Sequence, residues 1–430
     1  MNTTTRSYRQ RGLECTEYVI DVPLDHDRPG GEQIQVYARE VVDTTQPNAE
    51  SLPRLVFLQG GPGGKGPRPV SRAGWLERAL KDYRVVLLDQ RGTGLSTPAN
   101  RQTLPRRGTP ADQADYLSHF RADAIVRDAE LLRRALQGDE PWTALGQSFG
   151  GFCALSYLSY APEGLREVFV TGGLPPLSAT PDEIYQVTYS RAVEKNTAYF
   201  ARHPDDRDLC ARIVDHIRDH DVRLPTGERL SPRRFQGVGM RLGMRNDFDA
   251  LHYLLEEAWV DGVAGPDLSD TFLAAVGQGA SFASGPLYAV LHEACYTQRA
   301  ASAWSAERVY ALRPEFALDP DTPFLFTGEM IYPFLFDEDP ALVPLREVAH
   351  VLADKDDWPA LYDVDRLGAN DVPVFAAVYF DDLYVAREFS LATAASVGRV
   401  TPWITNSYEH DGLRTGKVLD HLFALAKETP

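Results

Sequence analysis

A serine hydroxyl becomes a useful nucleophile only when a base removes its proton and an acid orients that base. Gly146-Gln147-Ser148-Phe149-Gly150 offers such a serine in a G-x-S-x-G pattern. In this pattern the chain turns sharply from strand to helix and leaves the serine at the tip, while the glycines relieve crowding. The flanks suit the turn: residues 141–145 can form a short buried strand leading in, and residues 151–158 an apolar helix leading out. A base is available far down the chain. His410, in Tyr408-Glu409-His410-Asp411-Gly412, falls in a glycine-containing loop past the last expected strand, whereas His421 falls in the terminal helix.

The elements that must position these residues read as strands alternating with helices, which indicates an α/β architecture with a mostly parallel sheet. Residues 18–24 and 33–42 alternate apolar and polar side chains and read as antiparallel strands joined through Asp27-Arg28-Pro29-Gly30-Gly31. Residues 55–58, 84–89 and 167–173 are continuous apolar runs, as expected of strands covered on both faces. Helices are expected around 73–80 and over 122–136. After Pro175-Pro176 the pattern changes to charged, aromatic and helical in period, with helical pieces at 251–259 and 287–296. Strand character returns at 372–379 and 399–405, and residues 418–426 read as a closing helix. The expected organisation is a sheet domain over 1–176 and 366–430, interrupted by a mainly helical cap domain over 177–365.

On the α/β-hydrolase arrangement the triad runs in the order nucleophile, acid, histidine. The acid should therefore follow the strand before His410, where Phe380-Asp381-Asp382-Leu383 stands. Adjacent side chains diverge in extended chain, so only one aspartate can face the histidine; Asp382 is preferred, with Asp381 a turn residue. An oxyanion needs backbone N–H donors from the residue after the nucleophile and from a loop after an early strand. Phe149 and Gly61, the latter in Gln59-Gly60-Gly61-Pro62-Gly63-Gly64, meet that description. A phosphate loop is excluded there, because Gly64-Lys65-Gly66-Pro67 lacks Walker-A spacing and the hydroxyl after lysine. Asp89-Gln90-Arg91-Gly92-Thr93-Gly94-Leu95-Ser96 follows the next strand, where it either builds the site or pins the glycine loop.

Bulk properties narrow the partners. The 430 residues are 43% apolar and 24% charged, with a net charge of −17, a globular composition that disfavours nucleic acid or an anionic membrane as partner. The four cysteines, Cys15, Cys153, Cys210 and Cys295, are scattered without a C-x-x-C pair, so neither a zinc site nor a disulfide framework is expected. The N-terminal residues are polar and no apolar run reaches membrane-spanning length, so a cytoplasmic location is the default expectation.

Taken together, Gly60-Gly61-Pro62-Gly63, the Asp89 to Ser96 string and Gly146-Gln147-Ser148-Phe149-Gly150-Gly151 resemble the proline iminopeptidase (prolyl aminopeptidase) family of α/β-hydrolase serine peptidases. The stretches around Tyr379-Phe380-Asp381-Asp382 and Asn406 to Arg414 look like its longer subgroup. The resemblance implies release of N-terminal proline from peptide substrates through a prolyl-enzyme intermediate, without metal or organic cofactor. It assigns Ser148 as nucleophile, His410 as base and Asp382, 28 residues earlier, as acid. It further implies cap glutamates that bind the substrate's free amine: Glu293 and Glu329, with Glu256 a third candidate. One departure is Gln59, where the family usually carries histidine. The alternatives are an esterase or an aminopeptidase of other specificity on the same scaffold, or a non-catalytic hydrolase-like binding protein.

Overall fold

In the computed structural model, residues 3–245, 247–263 and 265–429 are described. The strands are β1 (Thr3–Gln10), β2 (Leu13–Pro23), β3 (Gln33–Asp43), β4 (Arg54–Leu58), β5 (Arg84–Asp89), β6 (Trp142–Gln147), β7 (Leu165–Thr171), β8 (Trp259–Gly262), β9 (Gly265–Leu268), β10 (Val374–Tyr379) and β11 (Val400–Thr405). Nine of them form one sheet in the order β1-β2-β3-β5-β4-β6-β7-β10-β11, and β8 pairs only with β9. β1, β2 and β3 are antiparallel and β3 meets β5 antiparallel, whereas β5, β4, β6, β7, β10 and β11 are parallel. The central strands β6 and β10 are buried along their whole length, as the unbroken apolar sequence of β10 requires.

The parallel registers decide where the site falls. Leu58 pairs with Gly146, Gln147 with Thr171 and Tyr379 with Thr405. The loops after β4, β6, β10 and β11 therefore leave the sheet side by side at its C-terminal edge, where sites in open α/β sheets are built.

Between β7 and β10 the chain makes a mainly helical excursion, beginning with the long helix Pro181–Arg202. Thr180 and Glu183 form a reciprocal capping box at its start, and Pro181 occupies the first turn. The excursion carries its own aromatic core: Phe324 meets Phe326 edge-on at 4.8 Å, and Phe326 packs against Phe235 and Tyr199. The β8–β9 hairpin on this excursion is largely exposed. Among the described residues no helix is long and apolar enough to cross a membrane.

One buried ion pair fastens the sheet to its flanking helix. Arg91, just past β5, donates to both carboxylate oxygens of Asp128 at 2.7 and 2.6 Å. It also donates to the carbonyls of Leu24 and His119. Asp128 lies on the helix Ala122–Gln137, so the pair ties that helix to the ends of β2 and β5. Removing one partner of a buried pair strands the other charge. Asp128→Ala is expected to lower unfolding free energy by about 3–5 kcal/mol in urea denaturation, and a loss below about 1 kcal/mol would contradict the clamp.

Candidate active site

The residue after β6 is Ser148, whose φ of 55° is unusual for a side chain bearing a Cβ. The helix Phe149–Tyr160 starts at the next position. Two contacts hold the turn: Ser148 N–H donates to the Thr171 carbonyl at 3.0 Å, and Gly151 N–H to the Ser148 carbonyl at 2.7 Å. The glycine at 150 is required by close approach, since a Cβ there would collide with the Leu58 carbonyl.

His410 follows β11 and is 4% exposed. Its Nδ1 lies 2.8 Å from Asp382 Oδ2 and its Nε2 lies 2.9 Å from Ser148 Oγ. A carboxylate can only accept, so Nδ1 carries the proton and Nε2 is free to accept from the serine hydroxyl. Asp382, 1% exposed, accepts from the N–H groups of Tyr384 and Val385 at 2.8 and 3.0 Å through its other oxygen. Asp381 is exposed, so it is Asp382 that reaches the histidine. Burial alone would depress the imidazole pKa, but the charge and hydrogen bond of Asp382 outweigh it and leave His410 above its ordinary value.

The Gln59–Gly64 loop stands opposite. A Cβ on Gly60 would come within 2.9 Å of Ser148 Cβ, which shows how closely the loop crosses the serine. Gly61 lines the same cavity as Ser148 and His410. The N–H of Phe149, in the first turn of its helix, has no intrahelical acceptor. Asp89 anchors the chain just beyond this loop. Its carboxylate accepts from Gly66 N–H at 3.0 Å and Leu95 N–H at 2.8 Å, and bidentately from Arg68. Gln90 donates to the Gln59 carbonyl at 2.8 Å. The Asp89 to Ser96 string thus braces the site from outside the cavity.

A cavity of about 210 Å³ opens over Ser148, walled by Met240, Met244, Tyr288, Tyr384 and Glu329. Glu329 sits half-buried in that wall, hydrogen-bonded by the Tyr288 hydroxyl. Burial pushes its pKa up to about 7, against the opposing pull of Tyr288 and His410.

The α/β-hydrolase fold model matches residues 53–279. A proline iminopeptidase of Aeromonas sobria is 46% identical over 420 residues, 97% of this chain and 97% of that one. A proline iminopeptidase of Aspergillus aculeatus is 34% identical over 422 residues, covering 96% and 94%. The chain belongs to the proline iminopeptidase family.

The glutamates expected by that resemblance separate in space. Of the three, Glu329 lines the cavity. The carboxylate of Glu293 is turned away from it and accepts from the N–H groups of Ser305 and Ala306 at 3.2 and 2.9 Å. It caps the helix Ser305–Tyr310, whose own N-cap residue, Trp304, offers no side-chain acceptor. Glu256 is 55% exposed on the helix Asp247–Glu256 and pairs with His252 at 3.3 Å, outside the cavity. Neither Glu293 nor Glu256 lines the cavity over Ser148, and the partners of each lie on the helical excursion. Tyr288, Tyr384, Met240 and Met244 were not singled out from sequence. Tyr384 alone carried a signal, standing two residues after Asp382.

The electrostatics of the triad can be read directly. In an NMR titration, His410 is expected to have its midpoint above the ordinary 6.5. In Asp382→Asn, burial acts without the carboxylate, and the midpoint is expected below 6.5. An unchanged midpoint would mean that Asp382 does not govern the imidazole.

Proposed function

We propose that this chain is a serine aminopeptidase that releases N-terminal proline from peptides. The observation that carries the reading is a Ser-His-Asp relay opening into a small cavity, walled in part by Met240, Met244, Tyr288 and Tyr384, that also holds the desolvated carboxylate of Glu329. Ser148 attacks the prolyl carbonyl while His410 takes its proton, and Asp382 keeps the imidazole oriented and stabilises the imidazolium. The N–H groups of Gly61 and Phe149 hold the tetrahedral oxyanion. His410 then protonates the leaving amine, and water hydrolyses the prolyl-enzyme by the same relay in reverse roles.

Glu329 gives the reaction its substrate class. A secondary ammonium entering the cavity meets the carboxylate that burial has left short of partners, and the charge-assisted hydrogen bond restores its ionised form. The thioether and phenol walls of Met240, Met244, Tyr288 and Tyr384 suit a pyrrolidine ring. Residues 177–365 act as the cap that brings this recognition surface over the catalytic edge of the sheet. Each substrate-recognition residue just named except Tyr384 comes from that segment, whereas the relay comes from the sheet. A simple ester carries no ammonium and would not need Glu329.

Two measurements test this. Ser148→Ala is expected to cost at least about a thousandfold in kcat on proline-β-naphthylamide. Glu329→Gln is expected to cut kcat/KM on that substrate about tenfold to a hundredfold, far more than on p-nitrophenyl acetate; equal losses on both would count against amine binding. The pH profile separates the groups as well. Glu329 must be ionised to pair with the ammonium and His410 must be neutral to accept a proton. With Glu329 titrating at about 7, log kcat/KM for the prolyl substrate should fall with a slope approaching two on the acid side. For the acetate ester the slope should stay near one.

A further inference from the structure

A second, larger cleft of about 540 Å³ adjoins the catalytic cavity and shares Gly61, Met240 and Tyr288 with it. Its size relative to the cavity matters. The cavity over Ser148, at 210 Å³, equals about seven waters' share of liquid volume, room for a prolyl residue and little more. On the reading above, the rest of a peptide has to leave through adjoining space.

The lining of this cleft has a distinct chemistry. Glycines from three segments, among them Gly63, Gly92, Gly94 and Gly285, expose backbone rather than side chains. Such a surface can pair with an extended chain and read little of its sequence. Among the described residues no carboxylate lines it, although the protein carries a net charge of −17. Its one charged residue is Lys65, which is exposed and has no ion-pair partner among the described residues. The other nearby cations are differently engaged. Arg68 is held bidentately by Asp89, and Arg414 faces the catalytic cavity, where Asp411 and Glu329 also stand.

Lys65 is also close to the reacting centre along the chain. It is the fourth residue after Gly61, a span of at most about 14 Å when fully extended. The loop is far from extended, because Gly64 folds back until a Cβ there would strike the Gly60 carbonyl. A charge anchored here reaches groups one or two residues beyond the scissile bond.

We propose that this cleft receives the peptide that follows the N-terminal proline, and that Lys65 holds the C-terminal carboxylate of di- and tripeptides. The inference rests on the proline-releasing reading of the catalytic site and adds a substrate length to it. Charge selects the short peptide's terminus, and the glycine lining leaves the intervening residue unspecified.

The test compares prolyl-glycine with prolyl-glycinamide, and prolyl-glycyl-glycine with its amide, by proline release. The wild-type enzyme is expected to favour the free carboxylate over the amide about threefold to tenfold in kcat/KM at low salt, and less at 0.5 M salt, where screening is stronger. Lys65→Ala should bring the ratio to about one, Lys65→Glu should invert it, and Lys65→Arg should keep it. Each ratio is internal to one protein preparation, so partial loss of folded enzyme cancels. A wild-type ratio of one, or a carboxylate preference that survives Lys65→Ala, overturns the proposal while leaving the catalytic reading intact. If the wild-type enzyme releases proline from none of the four, the catalytic reading fails and this inference fails with it.

Discussion

The structure depends on how tightly the turn after β6 is pressed against the end of β4. Gly150 lies so close to the Leu58 carbonyl that a methyl group would not fit, and Gly60 crosses within contact of Ser148 Cβ. That approach fixes two things at once. It holds Ser148 in its positive-φ conformation, and it sets the glycine loop where its N–H groups can face a reacting carbonyl. Backbone strain at a single residue persists only when its surroundings over-determine it, and here strands β4, β6 and β7 all contribute a constraint. The Arg91–Asp128 pair and the Asp89 network act at one remove, keeping the edge of the sheet from relaxing away from the turn.

The three acids of the region illustrate how environment divides identical chemistry. Asp382 is buried but accepts from two backbone N–H groups and from His410, so it has partners on both oxygens. Glu293 is buried too, and its partners are the first N–H groups of a helix, which makes it an architectural residue. Glu329 has the Tyr288 hydroxyl and otherwise faces the cavity. The one acid left with unsatisfied capacity is the one at the substrate wall. Desolvation without full pairing is what raises a carboxyl into the neutral range, and it is also what makes the group receptive to a cation.

Much of this was legible in the chain itself. Buried parallel strands announce themselves as apolar runs, the elbow is a local pattern, and chain order then narrows the base to His410 and the acid to the Asp381-Asp382 pair, which only the fold separates. β1 was missed because its residues are polar and mostly exposed; it pairs through backbone alone, Thr5 opposite Tyr18 through Gln10 opposite Leu13. The direction of a cap carboxylate was equally hidden. Glu256 and Glu293 sit among apolar neighbours in sequence as Glu329 does, and the side chains facing each one come from segments far away. The Asp89 to Ser96 string could be read as site or brace, and the choice turned on Arg68 and Gly66, which no periodicity connects to it. The apolar walls supplied by Met240 and Met244 lie in a stretch with no strand or helix signature strong enough to place them.

The Glu329 carboxylate at the cavity wall has a further consequence for the end of the proposed cycle. The substrate arrives with an uncharged carbonyl over Ser148, and hydrolysis turns that carbonyl into an anion in the same small space. The carboxylates of Glu329 and Asp411 line that space together with the exposed guanidinium of Arg414. Free proline keeps the ammonium that Glu329 attracts but adds a carboxylate that Glu329 repels, so the net pull that governed entry weakens once the product forms.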